Sequence, residues 1–261
     1  MIKLVLFTIA FGFSIHLNSD ASLTDSQKLI VASHGLYSTT VELDVNEIKK
    51  LLALGANPNF ADDAGATPLT YANVTYALSP TANNLEAVKT LVEAGSDIDH
   101  VENWGTGILH LAIVRSYNPE ALLDVLQFYL NKGANPNVIS FENRSPLLTA
   151  LPTGNLDVIK LLVSKGADLN HRAEVGNVLH FAVSAHRSKG TATYDLIREL
   201  INDEDKIHEF ANEPNQAGTT PLGYAASTGN LGVVKSLVED YQADINHANF
   251  AQLTPLDFAI K

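Results

Sequence analysis

Apolar residues return along this chain in two interleaved patterns. A Leu-x-x-Ala step occurs seven times, at Leu29/Ala32, Leu69/Ala72, Leu109/Ala112, Leu147/Ala150, Leu179/Ala182, Leu222/Ala225 and Leu256/Ala259, with spacings of 40, 40, 38, 32, 43 and 34 residues. Between the steps lies an apolar triplet at i, i+3 and i+4: Ile48/Leu51/Leu52, Val88/Leu91/Val92, Leu126/Tyr129/Leu130, Ile159/Leu162/Val163, Ile197/Leu200/Ile201 and Val234/Leu237/Val238. Residues three and four apart share one face of a helix, so each triplet predicts a helix with a single buried stripe. Each period therefore holds two helices, the first carrying the Leu-x-x-Ala step and the second the triplet.

Polar residues punctuate these helices. Thr67-Pro68, Ser145-Pro146, Thr220-Pro221 and Thr254-Pro255 place a hydroxyl at the N-cap and a proline at the first helical position, where its missing N–H costs nothing. Gly55, Gly95, Gly133 and Gly166 each follow a triplet by three residues, where a left-handed residue ends a helix without a Cβ penalty. Asn, Asp, Pro and Gly fill the stretch up to the next Thr-Pro, which is turn chemistry. The run GANPN appears at 55–59 and again at 133–137, with GSDID at 95–99 in the period between. It is one turn written in successive units of helix, turn, helix and hairpin-like loop.

Quoted as they stand, GATPLTYA at 65–72, GTGILHLA at 105–112, NRSPLLTA at 143–150, GNVLHFA at 176–182, GTTPLGYA at 218–225 and QLTPLDFA at 252–259 resemble the ankyrin-repeat unit. That unit reads roughly G-x-T-P-L-H-x-A-A, then an apolar helix, then G-A-D-V-N; KGADLN at 165–170 and QADIN at 242–246 match its end. A single match is weak, whereas six or seven in one register are specific. The resemblance covers residues 24–261 and implies an all-α ankyrin-repeat solenoid of about six complete helix-turn-helix repeats plus a C-terminal half repeat. Most periods exceed the family's period of about 33. The extra residues are assigned to loops between first and second helices at 79–84, 116–119 and 186–193; these either decorate a binding face or are tolerated exposed insertions. The fifth unit replaces its Gly stop with the polar run 202–208, where an added helical turn is compatible with the pattern. At 24–28 a polar lead-in fits a cap. Residues 255–261 either form a short cap or belong to a longer array.

The first residues read differently. Met1-Ile2-Lys3 sets one positive charge before an apolar run at 4–15, too short to span a bilayer, followed by Ser19-Asp20-Ala21 with small residues where a signal peptidase reads. The expected organisation is a signal peptide at 1–21, cleaved after Ala21, and an ankyrin-repeat domain at 22–261; a buried first helix or an uncleaved anchor is the alternative. The mature chain is expected to be secreted or periplasmic, with no stable membrane insertion after cleavage. The absence of Cys fits export, and leaves stability to packing alone.

Charge narrows the partners. Lys plus Arg number 17 against 29 Asp plus Glu, a formal charge of −12, which repels phosphate backbones and makes nucleic acid an unsuitable partner. With 46% hydrophobic and 18% charged residues the chain is too apolar for a disordered one. No zinc-protease, nucleophile-elbow or P-loop motif occurs, so no catalytic residues, metal or cofactor are assigned. His110 and His180 fall at the family's T-P-L-H position, where the resemblance implies a hydrogen bond to the adjoining loop. His100, His171 and His247 share one loop register and, on alternate repeats, stand too far apart to bind one metal. Asn73-Val74-Thr75 and Asn143-Arg144-Ser145 match a glycosylation sequon.

What remains is a binding surface. The resemblance implies recognition by loop tips and the exposed side of each first helix. The tips map to Asp63/Ala64, Asn103/Trp104, Phe141/Glu142, Glu174/Val175, Gln216/Ala217 and Phe250/Ala251. Large aromatics are enriched as interface anchors, so Trp104, Phe141 and Phe250 are the preferred contacts, with Asp63, Asn103, Arg115 and Glu142 beside them; each ring could instead pack on the neighbouring loop. Groove positions are Val74, Thr75, Val114, Arg115, Pro152, Thr153, Ser184, Ala185, Ser227 and Thr228, short and nearly uncharged. The expected function is a non-enzymatic scaffold, monomeric, binding one protein partner. The alternative is an enzyme or small-ligand protein with a site at 184–194, near His186, Arg187 and Lys189.

Overall fold

The computed structural model describes residues 24–33, 42–183 and 191–260. The expected signal peptide at 1–21 lies outside the described residues, as do 184–190 of the longest insertion. Helices alternate with loops throughout, and among the described residues there is no strand, only isolated antiparallel bridges at Val101–Gly107 and Ala173–Gly176 inside two hairpin-like loops. The chain forms two compact units, one ending at Ala134 and one beginning at Asn135.

The first unit holds three helix pairs: α1 (Asp25–Ser33) with α2 (Val45–Ala53), α3 (Pro68–Leu78) with α4 (Ala82–Glu93), and α5 (Ile108–Arg115) with α6 (Pro119–Asn131). In the second unit α7 (Pro146–Ala150), extended by a 3-10 turn at Leu151–Thr153, pairs with α8 (Leu156–Ser164). After it come α9 (Val178–Val183) with α10 (Ala192–Ile201), an additional helix α11 (Glu204–Asn212), α12 (Pro221–Thr228) with α13 (Leu231–Glu239), and finally α14 (Pro255–Ile260). First helices stack on first helices and second on second: α3 packs on α1 and α5, and α2 on α4.

The caps stand where the hydroxyl-proline pairs place them. Thr67, Ser145 and Thr220 accept from the backbone N–H of Thr70, Leu148 and Gly223, three residues on. Gly55, Gly95, Gly133 and Gly166 all have φ between 89° and 95°, the left-handed region that a Cβ disfavours. The buried faces follow the apolar periodicity. Leu69, Leu109, Leu147 and Leu179 are at most 1% exposed, and Ile48, Val88, Leu126, Ile159 and Ile197, the first members of the triplets, are fully buried.

Two expectations are corrected. Residues 82–84 and 119 are helical, so the second and third repeats place much of their added length in helices: α3 and α4 run to 11 and 12 residues and α6 to 13, against 8 for α12 and 9 for α8 and α13. An inserted residue that continues a helix satisfies its own backbone, which a longer loop does not. In the fifth repeat the change is larger than one turn. Asn202, at φ 48° and ψ 38°, ends α10 as a glycine would, and Asp203 then caps the nine-residue α11. Ile207, Phe210 and Ala211 bury its inner face, while Arg172 pairs with Glu213 at 2.7 Å and lies 4.3 Å over the Phe210 ring.

Candidate protein-interaction surface

Each loop tip is closed by a backbone hydrogen bond from residue i+3 N–H to residue i O, as Gly65 to Asp62, Gly105 to Glu102 and Asn143 to Ser140, and three tips add a side-chain clasp. Asp62, Asn215 and Asn249 occupy one register, and each Oδ1 accepts from the backbone N–H two and four residues on: Ala64 and Ala66, Ala217 and Thr219, Ala251 and Leu253. The residue three positions on has positive φ in every copy, at Gly65, Gly105, Asn143, Gly176, Gly218 and Gln252. A short Asx side chain and a left-handed residue thus fold these three tips tightly, and the left-handed residue recurs at the other three. The tips are also tied to one another. Asn103 donates its backbone N–H to Ala64 and its side-chain amide to Asp63, and Phe250 donates its N–H to Ala217.

The three loop histidines tie neighbouring tips together. His100, His171 and His247 point Nε2 at the carbonyl oxygens of Gly65, Asn143 and Gly218, at 2.6, 2.8 and 2.9 Å. Each contact goes to the left-handed residue of the preceding tip, and requires the Nε2–H tautomer. Among the described residues no group of three or more His, Asp or Glu could hold a metal ion. A second set of ties uses asparagine. Asn59, Asn137 and Asn212 donate side-chain N–H to the carbonyls of Gly95, Gly166 and Gln242 and accept from the N–H of Asp97, Asp168 and Asp244. This is the reason GANPN ends in Asn: a carboxylate there could accept but not donate.

The preferred aromatics sit on this rigid frame. Trp104 is 59% exposed, Phe141 85% and Phe250 78%. Phe250 nevertheless packs on the preceding tip, since a Cβ on Gly218 would lie 2.8 Å from its Cδ1. Asp63 and Glu142 are exposed, Glu142 pairing with Arg144 at 2.9 Å, and Arg115 is half-buried at the end of α5. Val114 is exposed, and beyond it Tyr117, not singled out by the sequence, is 86% exposed, more than Trp104. Thr75 is not a groove residue: it is buried, its hydroxyl donating to the carbonyl of Tyr71. Ser184 and Ala185 lie outside the described residues, with His186, Arg187 and Lys189. Tyr194, at the edge of that alternative site, is fully buried and donates to the carbonyl of Leu179 at 2.7 Å. Asn73 of the first sequon is fully buried and accepts from the Tyr129 hydroxyl.

Among the buried ionisable groups that are perturbed are one carboxyl and one imidazole. Glu102 holds the register of Asp62, Asn215 and Asn249 but is one methylene longer, and it is buried. Burial, reinforced by the Asp62 carboxylate and opposed by Arg115 and a hydrogen bond with Thr70, pushes its carboxyl up to about 7. Thr70, which bonds it, is buried too, which makes it a core carboxyl. His180 points Nε2 at Thr219 O, 2.9 Å away, and its Nδ1 accepts from the Asn177 N–H. Burial holds this ring neutral, lowering it to about 4. Asn177 in turn donates to Phe210 O and Glu213, joining α9 to α11.

Comparison with known proteins follows this geometry. A family model described as ankyrin repeats (3 copies) matches at residues 74–173, 109–202 and 179–261. The chain is similar to alpha-latrocrustotoxin-Lt1a of Latrodectus tredecimguttatus, 30% identical over 153 residues, which is 53% of this chain and 10% of that protein. It is 32% identical over 156 residues to the putative ankyrin repeat protein FPV230 of Fowlpox virus, 50% of this chain and 82% of that one. It is 26% identical over 212 residues to human palmitoyltransferase ZDHHC13, covering 67% of this chain and 32% of that protein. The chain thus spans between a tenth and a third of the latrocrustotoxin and the palmitoyltransferase. Among solved structures, the human ASB11 ankyrin repeat domain superposes with a TM-score of 0.60 at 22% identity, over 82% of this chain and 86% of that one.

Proposed function

This chain belongs to the ankyrin-repeat family, and on that premise we propose that it is a non-enzymatic scaffold, exported from the cytoplasm, that holds a protein partner on its loop tips. Ankyrin repeats are generally protein-protein interaction modules, and the fold is typically non-catalytic. One observation carries the reading: Trp104 and Phe141 stand exposed on tips whose backbones are closed by repeated hydrogen bonds. A rigid aromatic anchor loses little conformational entropy on binding, so its apolar area is available for affinity. The charge of −12 disfavours nucleic acid as the partner. Export rests on the charged start, the short apolar run and the small residues before 22.

The test is affinity capture with the chain from residue 22, repeated with Trp104→Ala and Phe141→Ala. Loss of one captured protein with the helical circular dichroism unchanged supports the tips as the contact. Unchanged capture by both variants removes them. Export is read separately, by N-terminal sequencing of protein recovered outside the cytoplasm; a first residue of Met1 rejects cleavage.

A further inference from the structure

The tip that carries Trp104 is built differently from those at Asp62, Asn215 and Asn249, whose first residue clasps its own loop. Glu102 stands in that register and is only 4% exposed. Its Oε1 is buried with no hydrogen-bond partner among the described residues, and the carboxyl bonds Thr70 of α3 instead of its own tip. A carboxyl half-satisfied in the core is tolerated when neutral and costly when charged. The groups that face it widen this difference. Asp62, on the preceding tip, repels a second carboxylate, and the attraction of Arg115 at the end of α5 is weaker than the cost of burial and that repulsion together. Glu102 therefore changes charge close to neutral pH, at about 7.

The backbone couples this charge to Trp104. Glu102 donates its N–H to Thr106 O at 3.2 Å and its carbonyl accepts from the Gly105 N–H at 2.7 Å, so both of its peptide groups close the turn in which Trp104 lies. Asn103 beside it donates its N–H to Ala64 O at 3.1 Å and its amide to Asp63 O at 2.9 Å, and His100 reaches Gly65 O at 2.6 Å. A side chain that leaves the core at Glu102 pulls first on this turn and then on its ties to the preceding tip. We propose that Glu102 is a proton-operated latch on the loop 100–107: neutral, it stays in the core and holds Trp104 in one geometry; ionised, it leaves the core and frees the loop. For its consequence the latch rests on the tip reading above: the partner is held more tightly on the acid side of neutrality. If only the latched loop binds, its fraction falls from about nine-tenths at pH 6 to about one-tenth at pH 8, which weakens capture by up to about tenfold.

Trp104 is the chain's only tryptophan, so its emission reports the loop without a label. Time-resolved fluorescence anisotropy of the full chain is followed from pH 5.5 to 8.5. The amplitude of fast local motion is expected to rise through a midpoint near 7 in the parent chain, and to stay at its low-pH value throughout in Glu102→Gln. Glu102→Asp is a second check. Its shorter carboxylate is placed to accept from the N–H groups of Trp104 and Thr106, as Asp62 accepts from Ala64 and Ala66, and the fast motion is expected to stay small at every pH. An amplitude in the parent chain that does not change with pH overturns the latch. So does a transition that persists in Glu102→Gln, which belongs to His100 or His110. Affinity capture keeps the two readings apart. A binder lost with Trp104→Ala, and weakened at pH 8 in the parent chain but not in Glu102→Gln, supports both. A binder lost with Trp104→Ala but held equally at pH 6 and pH 8 overturns the regulation while the tip reading stands. Capture indifferent to Trp104→Ala beside an intact anisotropy transition removes Trp104 from the contact and supports the latch.

Discussion

Asn59 Oδ1 lies 2.7 Å from the backbone N of Asp97 while its Nδ2 lies 3.0 Å from Gly95 O, so one side-chain amide closes the start of the next repeat's final loop. Asn59→Asp keeps the acceptor and sets a carboxylate against a carbonyl oxygen in place of the donor. The expected loss is about 1–2 kcal/mol in urea unfolding, and Asn137→Asp repeats it in the second unit. Equal midpoints for variant and parent in both cases refute the role.

Two glycines with positive φ are expected to respond differently. A Cβ on Gly176, at φ 130°, would sit 2.3 Å from Nδ1 of the buried His180, whereas a Cβ on Gly55, at φ 89°, meets nothing within 4 Å. Gly55→Ala carries the left-handed penalty alone, roughly 1–2 kcal/mol. Gly176→Ala adds the displacement of a hydrogen-bonded ring, for a total of about 3 kcal/mol or more. Thermal unfolding of the pair checks the order.

Acidification acts on the two units with opposite sign. Glu102 in the first unit is raised from 4.5 to about 7, so between these values the folded chain holds a proton that the unfolded chain has lost, and stability falls as pH rises. His180 in the second unit is lowered from 6.5 to about 4, so the unfolded chain takes up the proton first and stability falls as pH drops through that window. Each contribution is on the order of 3 kcal/mol at most. Hydrogen exchange at pH 5.0 and 7.0 is expected to show relative gain of protection in α3 and α5 and loss in α9 on acidification. Glu102→Gln abolishes the first change without touching the second.

Arg172→Ala removes both the 2.7 Å ion pair with Glu213 and the guanidinium over Phe210. The pair is about a third exposed, so the expected global cost is only about 1 kcal/mol. The diagnostic effect is local: exchange in α11 accelerates while α12 and α13 keep their protection. Uniform acceleration would mean that α11 is not a separable element.

Helix placement was legible because each helix carries its own cap, stripe and stop within one period, and such signals need no tertiary knowledge. The Thr-Pro starts at 67 and 220 and the glycine stops at 55 and 133 are local chemistry and stand where they were read. The burial of Glu102 was not legible, since it belongs to a register that only the folded tips reveal. Nor was the exposure of Leu256, whose sequence neighbourhood matches that of the buried Leu222. The tips were located by register, but Phe250 resting on Gly218 and Asn103 tying two loops are contacts between repeats, which no window of one repeat contains. Length added at 82–84 and 119 was read as loop because period counting measures how many residues are inserted and not which conformation they take.

Helix α11 closes with Asn212, whose amide meets Gln242 O and Asp244 N as Asn59 and Asn137 meet their own counterparts. A whole nine-residue element has been spliced in without loss of the fastening that follows it. Protein engineers could treat the span from Asn202 to Asn212 as a cassette: any guest segment that begins with a left-handed residue and finishes on an asparagine meets the same boundary conditions as the native one.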